Sequence, residues 1–118
     1  MAKQILVADD DVNLLKLYAR IFAGKEWSLS MSSSVEGASE LIKSNHYDLF
    51  VTDLVLPDGL GTELIKLFEE KYAGAKSILV TGTPDSGGWR EHDGIAKLIL
   101  KPFKTEHLLT AVRGALNK

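Results

Sequence analysis

The sequence predicts an α/β fold, a doubly wound parallel sheet of five strands in the order 2-1-3-4-5 covered by helices on both faces, and three observations carry that prediction. Five short apolar runs recur along the chain, each bounded by polar or turn-forming residues, as buried parallel strands are. Stretches with apolar residues at helical spacing separate most of them, which implies right-handed crossovers and few ways to wind the sheet. The chain has 118 residues, 45% of them hydrophobic, enough for one core and too few for two ordinary domains.

Gln4 to Ala8 is the first apolar run and stops abruptly at Asp9, Asp10 and Asp11. Leu14, Leu15, Tyr18, Ile21 and Phe22 then recur at helical spacing and Gly24 supplies a stop, so Asp11 to Ala23 reads as an amphipathic helix. Trp27 to Met31 reads as the second strand. Ser33 and Glu36 have the spacing of a capping box, with Ala38, Leu41 and Ile42 as the apolar stripe of a second helix that Asn45-His46 closes. Tyr47 to Thr52 is the third strand, ending at Asp53, and Leu56-Pro57-Asp58-Gly59 marks a loop. Leu64, Phe68 and Tyr72 lie four apart on a third helix. Ser77 to Thr81 and Ala96 to Leu100 are the last two strands. Between them, Gly82 to Gly94 holds four glycines and a proline, so the fourth helix is expected to be short or irregular. Leu108, Leu109, Val112 and Leu116 mark the inner face of a fifth helix.

Composition narrows the function. Sixteen acidic against fourteen basic side chains give a net charge of −2, with no basic excess for a phosphate backbone, so direct nucleic-acid binding is not expected. There is no cysteine, which excludes disulfides and thiolate metal sites. No apolar run approaches the roughly 20 residues that span a bilayer, and Met1 to Gln4 leads into a strand rather than a signal sequence. A cytoplasmic location without membrane contact is the expectation. His46, His92 and His107 share no ligand spacing, and no G-x-G-x-x-G follows the first strand.

In an open parallel sheet, ligands bind beyond the carboxyl ends of the strands, and Asp9, Asp10, Asp53, Thr81 and Lys101 all fall there. Strands one and three are neighbours at the topological switch point, which brings the three aspartates within reach of one another. Like charges that close need a cation, and oxygen ligands of this kind suit magnesium. A carboxylate can attack phosphorus, with the metal and Lys101 stabilising the charge of the transferred group and Thr81 donating its hydroxyl to a phosphoryl oxygen. Gly82 leaves a wall without a side chain beside the site. The Lys101-Pro102 bond is a candidate cis peptide that turns the lysine toward the site. Each residue alone has a plainer reading: an aspartate pair opening a helix is usually a cap, and a lone threonine or lysine is ordinary strand or surface composition. Their joint arrival at the correct strand ends favours the site.

Leu6 to Asp11, Tyr47 to Gly59, Thr81-Gly82 and Lys101-Pro102-Phe103 together resemble the receiver domains of response regulators in two-component signalling, over essentially the whole chain. The resemblance implies a flavodoxin-like three-layer sandwich over residues 1–118, ending without an output domain. It implies a phosphorylation-controlled switch rather than a turnover enzyme, one that catalyses its own aspartyl phosphorylation and dephosphorylation. Asp53 would take a phosphoryl group from a phosphohistidine on a sensor histidine kinase or phosphotransfer protein. Asp10 and Asp53 would bind Mg2+ directly, Asp9 through water, and the Val55 carbonyl would complete the protein ligands. Thr81 and Lys101 would hold the phosphoryl oxygens. Helix one near Asn13, Leu14 and Leu17, with the loop after Pro102, would choose the kinase. The downstream protein partner is unspecified, and the chain would be a monomer or a weak phosphorylation-dependent dimer.

The sequence departs from the family pattern at Leu98, where an aromatic residue is usual, and in a segment from Thr81 to Lys101 that is about two residues short. Val55 and Thr83 occupy positions that tune acyl-phosphate hydrolysis, and neither is an acid or amide that would orient water. Two other readings compete. A phosphatase of the haloacid dehalogenase type also uses a strand-end aspartate with magnesium, but wants a second aspartate where this chain has Val55. A receiver that binds partners without phosphorylation is the other.

Overall fold

The computed structural model describes residues 2–83 and 94–117. Its elements are β1 (Lys3–Ala8), α1 (Val12–Ile21), β2 (Trp27–Ser32), α2 (Val35–Ser44), β3 (Leu49–Asp53), β4 (Val55–Leu56), β5 (Gly59–Leu60), α3 (Gly61–Lys71), β6 (Ser77–Thr81), β7 (Ile95–Leu100) and α4 (Thr105–Leu116). The main sheet is parallel throughout, in the order β2-β1-β3-β6-β7. With β4 and β5 set aside, that is the expected order 2-1-3-4-5. The expected fourth helix falls largely on residues 84–93, outside the described residues.

The continuous apolar runs resolve into two faces by strand parity. On one face Ile5 and Val7, Leu49 and Val51, and Ile78 and Val80 pack with Tyr18 and Phe22 of α1 and with Leu108, Ala111 and Val112 of α4. On the other, Leu6, Ala8, Phe50 and Leu79 pack with Ala38 and Ile42 of α2 and with Leu64, Ile65 and Phe68 of α3. All the strand residues named are buried, so no strand shows the alternation of a half-exposed sheet. In β7 the register against β6 slips: Ser77 pairs with Ile95 and Ile78 with Lys97, leaving Ala96 as an extra residue. Beyond it, Leu98 pairs with Leu79 and lies half-buried against the α2–α3 side.

Two details of the expected elements change. The loop after β3 closes into a small antiparallel ribbon, Val55 opposite Leu60 and Leu56 opposite Gly59, and strands of two residues are too short to leave a periodic signal. The cap of α2 is Ser34 rather than Ser33: its Oγ accepts from Gly37 N at 3.0 Å. The exposed N–H groups of Val35 and Glu36 instead meet the Asp58 carboxylate, at 2.7 and 3.0 Å. That carboxylate arrives from another part of the chain and replaces the local box.

Candidate functional site

The carboxyl ends of β1, β3, β6 and β7 open on one side of the sheet. Asp9 follows β1 with its main-chain N–H held by Ser32 O at 3.0 Å, and it is fully buried. Its Oδ1 accepts from Asp11 N at 2.9 Å. Asp11 in turn caps α1, its Oδ1 accepting from Asn13 N at 2.9 Å and Leu14 N at 3.2 Å. The capping role thus goes to the third aspartate and leaves Asp9 and Asp10 free of it.

Asp53 ends β3 with its side chain partly exposed, and carboxylate oxygens of Asp9, Asp10 and Asp53 lie within 4.8 Å of one another. Lys101, delivered by β7 and followed by a cis peptide to Pro102, reaches back so that Nζ stands 2.9 Å from Asp53 Oδ2 and 2.9 Å from Asp9 Oδ2. The contact with Asp53 is a formed hydrogen bond. The contact with Asp9 Oδ2 is at ion-pair distance only, so this buried oxygen lacks a well-directed donor among the described residues. Burial pushes the Asp9 carboxyl above its ordinary value, and the Asp11 N–H and Lys101 offset this only in part. On Lys101, burial pulls downward, but its hydrogen bonds and charge interactions with Asp53 and Asp9 outweigh it and hold the ammonium above its ordinary value. Burial likewise raises the Tyr18 phenol on α1, reinforced by the charges of Asp9 and Asp53.

The strand ends bring the three aspartates and Lys101 together, as the sequence placed them. Thr81 is buried at the end of β6, where its carbonyl accepts from Lys101 N at 2.9 Å, but its hydroxyl turns to Thr83: Oγ1 accepts from Thr83 N at 3.0 Å. It lies beside the acid cluster without touching it. Val55 opens β4 with a half-exposed side chain. A Cβ placed on Gly82 would only reach van der Waals contact with Lys101 Cβ at 4.0 Å, so the wall there is open. Gly61, at the start of α3, is the tight spot. Its N–H donates to Leu54 O at 2.7 Å, and a Cβ there would fall 1.9 Å from the Asp53 carbonyl oxygen.

The residues fit a hard divalent cation. Three carboxylates face one ammonium, all donors are oxygens, and a buried carboxylate oxygen points into the cluster short of partners. Sequence reasoning missed Asp58, which it read as a turn residue. Its partners lie 22 and 23 residues away, and no local pattern announces such a contact.

A parallel sheet wound in this order, with acids and a lysine at the switch point, defines a doubly wound α/β protein whose chemistry sits at its strand ends. The model of the response regulator receiver domain matches residues 5–113, and the chain belongs to that family. It is 25% identical to response regulator ArlR of Staphylococcus aureus over 98% of its own length and 53% of that protein's, so it spans about half the length of the curated relatives it matches. The crystal structure of a CheY-like receiver domain protein from Methanospirillum hungatei superposes with a TM-score of 0.89 at 26% identity, covering 99% of this chain and 95% of that one. Response regulator TrrA of Thermotoga maritima, solved in complex with Mg2+ and a beryllium fluoride, gives 0.82 at 26% identity, covering 97% and 99%. The chain is thus a receiver domain of two-component signalling. Among the described residues no helix is long and apolar enough to cross a membrane.

Proposed function

We propose that Asp53 accepts a phosphoryl group in a magnesium-dependent reaction and that the charged state changes the surface a protein partner reads. One observation carries the reading: Lys101 Nζ bridges Asp53 and Asp9 at 2.9 Å each, at the rim of a three-carboxylate pocket. Asp10, Asp53 and the Val55 carbonyl would hold Mg2+, with Asp9 bound through water, and the ion would neutralise charge on the transferred group. The Asp53 carboxylate attacks phosphorus, an O–P bond forms, and the N–P bond of a donor phosphohistidine breaks with its electron pair leaving on the imidazole. Lys101 is already at the nucleophile and needs only to shift its hydrogen bond to a phosphoryl oxygen. For Thr81 to donate to that group, its hydroxyl must leave Thr83, which links charging of the site to the loop after β6.

The donor is a sensor histidine kinase or phosphotransfer protein, and the chain is a monomer or a weak dimer that phosphorylation favours. The phosphatase alternative lacks its second acid, since position 55 is a half-exposed valine. The test is to incubate the protein with acetyl phosphate and magnesium and follow its intact mass. One added phosphoryl group that disappears in Asp53→Asn and without magnesium supports the reading. An adduct that survives in Asp53→Asn overturns it.

A further inference from the structure

Asp58 lies in the turn of the β4–β5 ribbon, five residues after Asp53, yet its carboxylate is spent on a different element. Oδ1 accepts from Val35 N at 2.7 Å and Oδ2 from Glu36 N at 3.0 Å, so one side chain takes two otherwise unpaired N–H groups at the start of α2. The same turn is fastened on its other flank. Leu60 N donates to Glu63 Oε1 of α3 at 3.0 Å, Gly61 N donates to Leu54 O at 2.7 Å, and a Cβ on Gly59, whose φ is +158°, would meet Glu63 Oε1 at 3.0 Å and Val35 Cγ2 at 3.2 Å. Between these anchors runs Val55, with ribbon pairing to Leu60. The position of the Val55 backbone relative to the three aspartates is therefore set at one end by Asp53 itself and at the other by the Asp58 contact with α2.

From this geometry we infer that Asp58 is a positioning residue for the divalent cation: by gripping the start of α2 it holds the Val55 loop at the acid pocket, and cation binding in turn tightens that grip. This rests on the reading of Asp9, Asp10, Asp53 and Val55 as the cation's ligands. Reciprocity is required by linkage, because a contact that favours the bound state is itself favoured by binding.

The experiment titrates MgCl2 alone into the parent protein, Asp58→Asn and Asp58→Ala by calorimetry, after circular dichroism has shown that each variant is folded. It also follows amide hydrogen exchange at Val35 and Glu36 in the parent with and without magnesium. Asparagine keeps one carbonyl acceptor and loses the charge, whereas alanine loses both acceptors. The expected result is a dissociation constant raised about 3- to 10-fold in Asp58→Ala, a smaller rise in Asp58→Asn, and slower exchange at Val35 and Glu36 when magnesium is bound. Equal weakening in the two variants would assign the effect to charge alone and overturn the proposal, as would unchanged affinity or magnesium-independent exchange. If a variant does not fold, the exchange measurement on the parent decides by itself. A parent that binds no magnesium overturns the underlying site reading instead, an outcome distinct from variants that bind like the parent.

Discussion

At the scale of single residues, the acid pocket and its surroundings sort side chains by what holds them. Asp58 is held below its ordinary carboxylate value by the N–H groups of Glu36 and Val35. A depressed folded-state value gives stability that is fully present above the ordinary value of 3.8 and is lost as pH falls through the folded one. The gap in thermal midpoint between the parent and Asp58→Asn should therefore be constant down to about pH 5 and close below about pH 4. Ser77 is the opposite case: its Oγ is buried with no hydrogen-bond partner among the described residues. Removing a buried, unsatisfied hydroxyl relieves its desolvation, so Ser77→Ala should be neutral or stabilising by up to about 1 kcal/mol in urea denaturation. A loss of more than that would show that the hydroxyl has a partner. The sequence located Asp9, Asp10, Asp53 and Lys101 because strand ends are legible from where apolar runs stop. It left the direction of the Thr81 hydroxyl and the reach of Asp58 unread, because both depend on contacts made only after the chain folds.

Among the elements, α3 binds the core and the site most tightly to each other. Phe68 is fully buried, with ring centroids 5.9 Å from Phe50 and 5.4 Å from Tyr72. Phe68→Ala should cost about 3–5 kcal/mol of unfolding free energy. At the first residue of the helix, Gly61→Ala would drive a methyl group to 1.9 Å from the Asp53 carbonyl. Backbone must move, so we expect a loss of about 1–3 kcal/mol together with slower loading of Asp53 by acetyl phosphate. Destabilisation with normal loading would show that the helix start and the acid shift independently. The strands were legible to within a residue or two because their apolar runs are uninterrupted, and Ser77–Thr81 matches its expected bounds. The start of α2 was displaced by one residue, since three serines in a row, Ser32 to Ser34, offer equivalent local caps and tertiary contact chooses among them.

For the whole molecule, the acid pocket is a stability liability that a cation converts into an asset. Asp9 is buried with its carboxyl raised, so ionising it at neutral pH opposes folding, and a bound cation reverses the sign. Magnesium at about 100 times its dissociation constant should stabilise the fold by about 2.7 kcal/mol, and chelation should remove that gain. Thermal midpoints with magnesium and with EDTA give the comparison, and equal values in the two would mean that the pocket binds no cation in the folded state. The sheet order was within reach of sequence reasoning because alternating strands and helices at short spacing leave few windings. The β4–β5 ribbon was not, because its four residues carry no period.

The slipped register in β7 gives the chain a spare residue. Ser77 faces Ile95 and Ile78 faces Lys97 on either side of Ala96, so the residues flanking it already sit in consecutive positions of the ladder. A gene that lost the Ala96 codon would still specify the same inside and outside for every neighbour, and Lys101 would still emerge at the same strand end. The deletion protein should fold with nearly the parent's melting temperature, whereas removing Ile99, one turn of the pleat further on, would invert the strand's faces and unseat the lysine.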